Sequence, residues 1–182
     1  MALKATIFKA QVQISDLDRH YYNEHELTLA RHPSETDQRM MTRLIAFALN
    51  AHPELTFTKG LSTREEPDLW QKSLQGDIDL WIELGQPDEK RLRKACSQSE
   101  HVIIYSLDNS TFNSWWQGVG PKVDHLANLT VCQLPTEPIE TLSEALGRNL
   151  NLQATIQDQQ LWLSLDDANV EIHPTIIKQV TT

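Results

Sequence analysis

Gly76-Asp77-Ile78-Asp79-Leu80-Trp81-Ile82-Glu83-Leu84-Gly85 decides the reading of the fold. Its even positions, Ile78, Leu80, Ile82 and Leu84, form one apolar face. Its odd positions put Asp77, Asp79, Trp81 and Glu83 on the other, because side chains along a strand alternate with period two. Downstream, Asp88 to Ser99 reads as a helix with Leu92, Ala95 and Cys96 inward, and Val102 to Leu107 as a buried strand. Thr111–Val119 reads as helix, Leu126–Leu134 as strand, and Glu137–Leu146 as a helix stopped by Gly147.

Upstream, Pro67 to Ser73 suits a short helix with proline in its first turn, and Leu55 to Thr58 a short strand broken by Lys59-Gly60. Met41, Leu44, Ile45 and Ala48 recur at helical spacing and predict a helix over 34–50. Ser34 followed by Asp37 is its expected start signal, and His52-Pro53 its stop. Both ends read as pure β. Residues 4–14 and 24–30 alternate on either side of the turn formers Ser15-Asp16-Leu17-Asp18. Residues 151–157, 161–165 and 170–173 are separated by Asp158-Gln159 and Asp166-Asp167-Ala168. The expectation is a single domain over 1–182 with an α/β core at about 34–147. Terminal hairpins at 4–31 and 150–173 would pair into a second, antiparallel sheet.

Composition narrows function without choosing it. The 182 residues hold 16 Lys+Arg against 25 Asp+Glu, a formal charge of −9 that argues against broad coating of nucleic acid but permits a local basic patch. No apolar run reaches the ~20 residues that span a bilayer. The opening Met-Ala-Leu-Lys is unlike a signal peptide, so no membrane association and a cytoplasmic location are expected. Cys96 and Cys132 lie far apart, which disfavours a disulfide scaffold or a cysteine zinc site. The seven histidines show no His-x-x-x-His spacing, and no glycine loop cradles a phosphate, so no nucleotide cofactor is expected. Trp115-Trp116 and Trp162 read as core residues.

The acidic face of the 77–85 strand is the unusual feature. On a half-exposed strand it is simply the wet side. On a central strand covered by helices, its carboxylates need a cation, and Mg²⁺ is the usual partner for oxygen ligands. Asp79 and Glu83 stand roughly 13 Å apart at ~3.3 Å per residue, so one ion would need a further acid. Glu35 is a candidate, although an acid in a first helical turn, or an i,i+4 partner for Arg39, is the plainer account of it. Lys90-Arg91-Leu92-Arg93-Lys94 puts four cations in five residues, either a solvated surface with a Glu89–Arg93 pair or a contact for phosphate.

Three runs carry a resemblance: Leu27-Thr28-Leu29-Ala30-Arg31-His32-Pro33-Ser34-Glu35-Thr36, the acidic strand continued through Gln86-Pro87-Asp88-Glu89-Lys90-Arg91, and Leu152-Gln153-Ala154-Thr155-Ile156-Gln157-Asp158. In this order, over essentially the whole chain, they resemble the YaeQ family of bacterial proteins. The resemblance implies a variant of the PD-(D/E)XK nuclease fold, a restriction-endonuclease-like αβββαβ core with added β structure. It also implies a Mg²⁺- or Mn²⁺-dependent nuclease or phosphodiesterase acting on DNA. Its metal acids would be Glu35, Asp79 and Glu83. Gly85 stands where Glu-x-Lys has its lysine, so Lys94, or secondarily Lys90, would supply the catalytic cation. Lys90, Arg91 and Lys94 would meet the nucleic acid. Pro67-Asp68 spells the first motif literally and is set aside because it reads as opening a helix. The missing lysine keeps open an alternative, a catalytically silent nuclease fold that binds protein or nucleic acid.

Overall fold

A computed structural model describes residues 4–181. In chain order the elements are β1 (Thr6–Asp16), β2 (Tyr21–Arg31), α1 (Asp37–Leu49), β3 (Leu55–Phe57), β4 (Leu69–Lys72), β5 (Ile78–Leu84), α2 (Glu89–Gln98) and β6 (Ser99–Leu107). There follow α3 (Phe112–Val123), β7 (Leu129–Leu134), α4 (Thr136–Glu144), β8 (Asn149–Gln157), β9 (Gln160–Leu165), β10 (Ala168–Ile172) and β11 (Thr175–Lys178). The fold is mixed α+β: the described residues form two mixed sheets and four α-helices. None of these helices is long and apolar enough to cross a membrane. The chain divides into two compact units.

The first unit comprises the chain up to Ala51, Leu61–Thr63 and Glu137–His173. Its sheet runs β10-β9-β8-β1-β2, so the two ends of the chain do pair, but in a mixed sheet where an antiparallel one was expected, because β1 lies parallel to β8. Alternation decides its faces: Phe8, Ala10, Val12 and Ile14 of β1 and Leu150, Leu152, Ala154 and Ile156 of β8 are buried, while their neighbours point to water. The β8–β9 turn needs left-handed backbone at Asp158 and Gln159, with φ of 53° and 64°. The Asp18 carboxylate fixes that turn by accepting from both backbone N–H groups at 2.8 Å.

Helix α1 belongs to this unit, and every residue from Met40 to Ala48 is buried. Its cap is Thr36, whose hydroxyl accepts from Arg39 N at 3.1 Å. Ser34, the expected start signal, instead bonds the His32 ring at 2.6 Å within a turn that precedes the helix. Trp162, expected in the core, turns outward on β9 and is 38% exposed. Period two gives the reason: Leu161 and Leu163 on either side take the inner face.

The second unit comprises His52–Gly60, Arg64–Thr136 and Pro174–Thr182. Its sheet runs β11-β7-β6-β5-β4-β3. Strands β5, β6 and β7 are parallel and joined through α2 and α3, whereas β3, β4 and β5 form an antiparallel meander. Trp81 of β5 packs with Leu92 and Ala95 of α2, Val102 and Ile104 of β6 and Val123 of α3, so both helices cover the face that carries Glu83. Residues 69–72 pair with β5 as a strand, where a helix over 67–73 was expected. The segment is too short for propensity to outweigh the backbone bonds that pairing supplies. Strand β11 was not expected at all. It adds Thr175–Lys178 to β7 just after the break at Pro174.

Candidate functional site

Glu35 lies in the first unit, immediately before α1, and is buried. Arg43 donates to it in bidentate fashion, Nε to Oε1 and Nη2 to Oε2, each at 2.8 Å, and Arg39 Nη1 donates to Oε1 at 3.2 Å. Arg43 Nη2 also reaches the Ala30 carbonyl at 3.1 Å, tying the helix to β2. Two guanidiniums therefore serve this carboxylate. The Arg39 partnership set out above as the plainer account is present, with a stronger Arg43 pairing beside it.

Asp79, Glu83 and Lys94 lie in the second unit. Asp79 is half-buried on the N-terminal half of β5 and borders an open depression with Asp77, Ser97 and Gln98. Glu83 sits at the other end of the same strand. Among the described residues, no three His, Cys, Asp or Glu side chains gather as a group able to hold one metal ion.

What Glu83 does meet is Asp68. Because β4 is a strand antiparallel to β5, the residue just before it arrives beside the end of β5. Asp68 N donates to the Ile82 carbonyl at 3.0 Å, and Asp68 Oδ2 accepts from Leu84 N at 2.8 Å. Both acids are buried, Asp68 at 4% exposure and Glu83 at 9%. Burial pushes the Glu83 carboxyl above its ordinary range. Arg91 and Trp81 oppose that push by hydrogen bonding to it, and the negative charge of Asp68 adds to it.

Arg91 is the cation of this corner. Its Nε donates to Glu83 Oε1, and its two terminal nitrogens donate to the backbone carbonyls of Arg64 and Glu66. Its guanidinium carbon lies 5.8 Å from the centre of the Trp81 ring, and Trp81 Nε1 donates to Glu83 Oε2 at 3.2 Å. Asp88 makes the placement possible by capping α2: its carboxylate accepts from Arg91 N at 2.8 Å, fixing the first turn directly after β5. The other cations of α2 are differently engaged. Lys94 Nζ donates to Glu65 at 2.6 Å, Arg93 pairs with Glu89 at 2.5 Å, and Lys90 is exposed.

The reading of the sequence thus missed Asp68 as a neighbour of Glu83, and it grouped Arg91 with Lys90 and Lys94 as a nucleic-acid contact without its pairing to Glu83. The literal Pro67-Asp68 motif was the available signal, and the assumed helix hid it.

A family model described as YaeQ protein matches residues 1–174. The chain belongs to the YaeQ family. It is 46% identical over 179 residues to the YaeQ protein of Escherichia coli (strain K12) and 48% identical over 179 residues to that of Salmonella typhi, in each case over 98% of this chain and 99% of the relative. Among solved structures, it is similar to the YaeQ protein of Xanthomonas axonopodis pv. citri, with a TM-score of 0.93 and 42% identity over 96% of this chain and 99% of that one. The YaeQ protein of Pseudomonas syringae gives a TM-score of 0.92 and 32% identity, with 96% of each chain covered. Family membership therefore spans both compact units.

Proposed function

We propose that this YaeQ-family chain is a metal-dependent phosphodiesterase of the PD-(D/E)XK type acting on DNA, with its centre at Asp68, Glu83 and Arg91. The observation that carries the reading is the register that sets two buried acids side by side, Asp68 just before β4 and Glu83 on β5, with one guanidinium on Glu83. The element order supports it. Within the second unit, the meander β3–β4–β5, α2 and the parallel strand β6 succeed one another as the later part of a restriction-endonuclease-like core would, with the first acid before β4 and the second on β5.

A hard divalent cation fits this donor set. Mg²⁺ is commonly held by one or two carboxylates and keeps several waters, so a third protein acid is not required. Asp68 and Glu83 would hold it, and when bound it would supply Lewis-acid stabilisation of phosphate charge. Burial already disfavours the bare charge on Glu83, so a nearby positive charge is electrostatically welcome there. Arg91 supplies one in the resting protein and keeps the Glu83 carboxylate oriented. Released toward substrate, its fork suits two oxygens of a phosphodiester. In this reading Glu35 is a structural acid, and Lys94 is a surface cation that meets DNA only by leaving Glu65.

One observation favours the rival reading of a silent fold that binds without cleaving. Both Glu83 oxygens already carry donors, and glycine stands at the lysine position. Cleavage assays on single-stranded, nicked and branched DNA with Mg²⁺ or Mn²⁺ separate the two. Wild type and Glu35→Gln should cut, whereas Asp68→Asn and Glu83→Gln should not. Cleavage that survives both of the latter variants would refute the assignment. Binding without cleavage by wild type would support the silent module.

A further inference from the structure

Three consecutive residues between β3 and β4, Arg64, Glu65 and Glu66, place their oxygens on two cations of α2. The Arg64 and Glu66 carbonyls accept from the two terminal nitrogens of Arg91, the second at 3.0 Å. Between them, the Glu65 carboxylate accepts from Lys94 Nζ at 2.6 Å. Arg91 and Lys94 can be bridged in this way because residues three apart share a helix face. With Nε donating to Glu83, every nitrogen of the Arg91 guanidinium has a partner within the protein. The two carbonyl oxygens occupy the fork as two phosphodiester oxygens would.

Residues 64–66 are held from outside. Arg64 and Glu65 are exposed, and the Lys94–Glu65 pair joins side chains 43% and 77% exposed. A pair of that kind is weak in water and yields to a competing anion. Lys94 holds the Glu65 carboxyl below its ordinary range, so Glu65 is negative at neutral pH. The neck beneath is fastened separately. Thr58 Oγ1 donates to the Pro67 carbonyl, and Thr58 N donates to the Asp68 carbonyl at 3.2 Å. Asp68 is itself bonded to β5 through both its backbone N–H and its carboxylate. Residues 64–66 can therefore leave α2 while Asp68 stays beside Glu83.

We infer, on the reading of Arg91 and Lys94 as phosphate contacts given above, that residues 64–66 are an autoinhibitory strap. Closed, it fills the Arg91 fork with its own carbonyls, neutralises Lys94 and sets the charges of Glu65 and Glu66 in the path of an approaching phosphate. DNA phosphate opens it by taking over both cations, so the centre meets a phosphodiester only when a polyanion has displaced the strap.

Two measurements on the full chain test this. The first reads the strap without DNA: trypsin cuts after Arg64 only when that carbonyl has left Arg91. Lys94→Gln leaves the cut sequence unaltered and should speed cleavage after Arg64 by about threefold. The second is fluorescence anisotropy of a labelled DNA duplex, with Ca²⁺ replacing Mg²⁺ so that binding is read apart from turnover. Glu65→Gln should bind about threefold tighter than wild type or better. Glu100→Gln, which removes the same charge at the far end of β6, should gain less. In a Lys94→Gln background, Glu65→Gln should gain no more than Glu100→Gln does. All of these side chains are exposed, so the variants should fold. If Glu65→Gln gains no more than Glu100→Gln in the wild-type background, or if Lys94→Gln leaves the tryptic rate unchanged, the strap is refuted while DNA binding stands. If no protein of the set binds DNA, the site is not a DNA site, and the strap falls with it.

Discussion

Replacing Glu35 with alanine separates two roles that the sequence alone leaves entangled. The Glu35 side chain is 2% exposed and that of Arg43 is 3%, and the pair shares two parallel hydrogen bonds of 2.8 Å. Removing one member of such a buried pair strands the other charge and costs about 3–5 kcal/mol. Arg43 keeps the Ala30 carbonyl as a partner, which places the expected loss near the lower end, about 3 kcal/mol. For a chain of this length that lowers the melting temperature by roughly 6–12 °C, at ~2–4 °C per kcal/mol. Urea unfolding of wild type, Glu35→Ala, Arg43→Met and the double variant, each with and without Mg²⁺, gives the measurement. The two single variants should lose similar stability, independent of the ion. The double variant should recover part of the loss, because the buried Arg43 charge is then no longer left without its carboxylate. A loss below about 1 kcal/mol, or one that appears only with Mg²⁺ present, would refute the structural role.

Other expectations follow from the same geometry. Thr36→Ala should cost about 1 kcal/mol through loss of the α1 cap, and Ser34→Ala much less, read from urea midpoints; the reverse ranking would restore Ser34 as the cap. The raised Glu83 carboxyl keeps its proton to higher pH in the folded than in the unfolded chain. The folded state therefore binds more protons above the ordinary value near 4.5, and wild type should lose stability relative to Glu83→Gln as pH rises through that window. Unfolding curves of the two proteins from about pH 4 to about pH 7 check the sign, and an opposite slope contradicts it. Burial pushes the Cys96 thiol up to about 11 and the Cys132 thiol up to about 12, so a disulfide reagent at neutral pH should react slowly until denaturant is added. Immediate reaction of both thiols in the folded protein would contradict that.

How much of this was legible in the sequence depended on how the signal was carried. The 77–85 strand, the helix after it and the pairing of the two chain ends were readable because period two and period 3.6 set burial on their own. Thr36 and Ser34 are both competent caps, and only the His32 turn decides between them. Residues 67–73 failed for a different reason: four paired residues carry no usable periodicity, and their state is set by β5, which pairs with them from elsewhere in the chain. That one misreading propagated, because Asp68 reaches Glu83 only if β4 is a strand. With Asp68 set aside, Asp79 stood as the second acid on the Glu83 face of β5, at the other end of that strand. Arg91 was hidden by its neighbours, since a run of cations gives no sign of which one turns inward.

Calorimetric titration of Mg²⁺ or Mn²⁺ into wild type, Asp68→Asn and Glu83→Gln puts the shared carboxylate centre to its plainest test. The account predicts one binding event in wild type and none in either variant, with Glu35→Gln still binding in whatever fraction remains folded. Equal heats from wild type, Asp68→Asn and Glu83→Gln would show that the two acids hold no ion together.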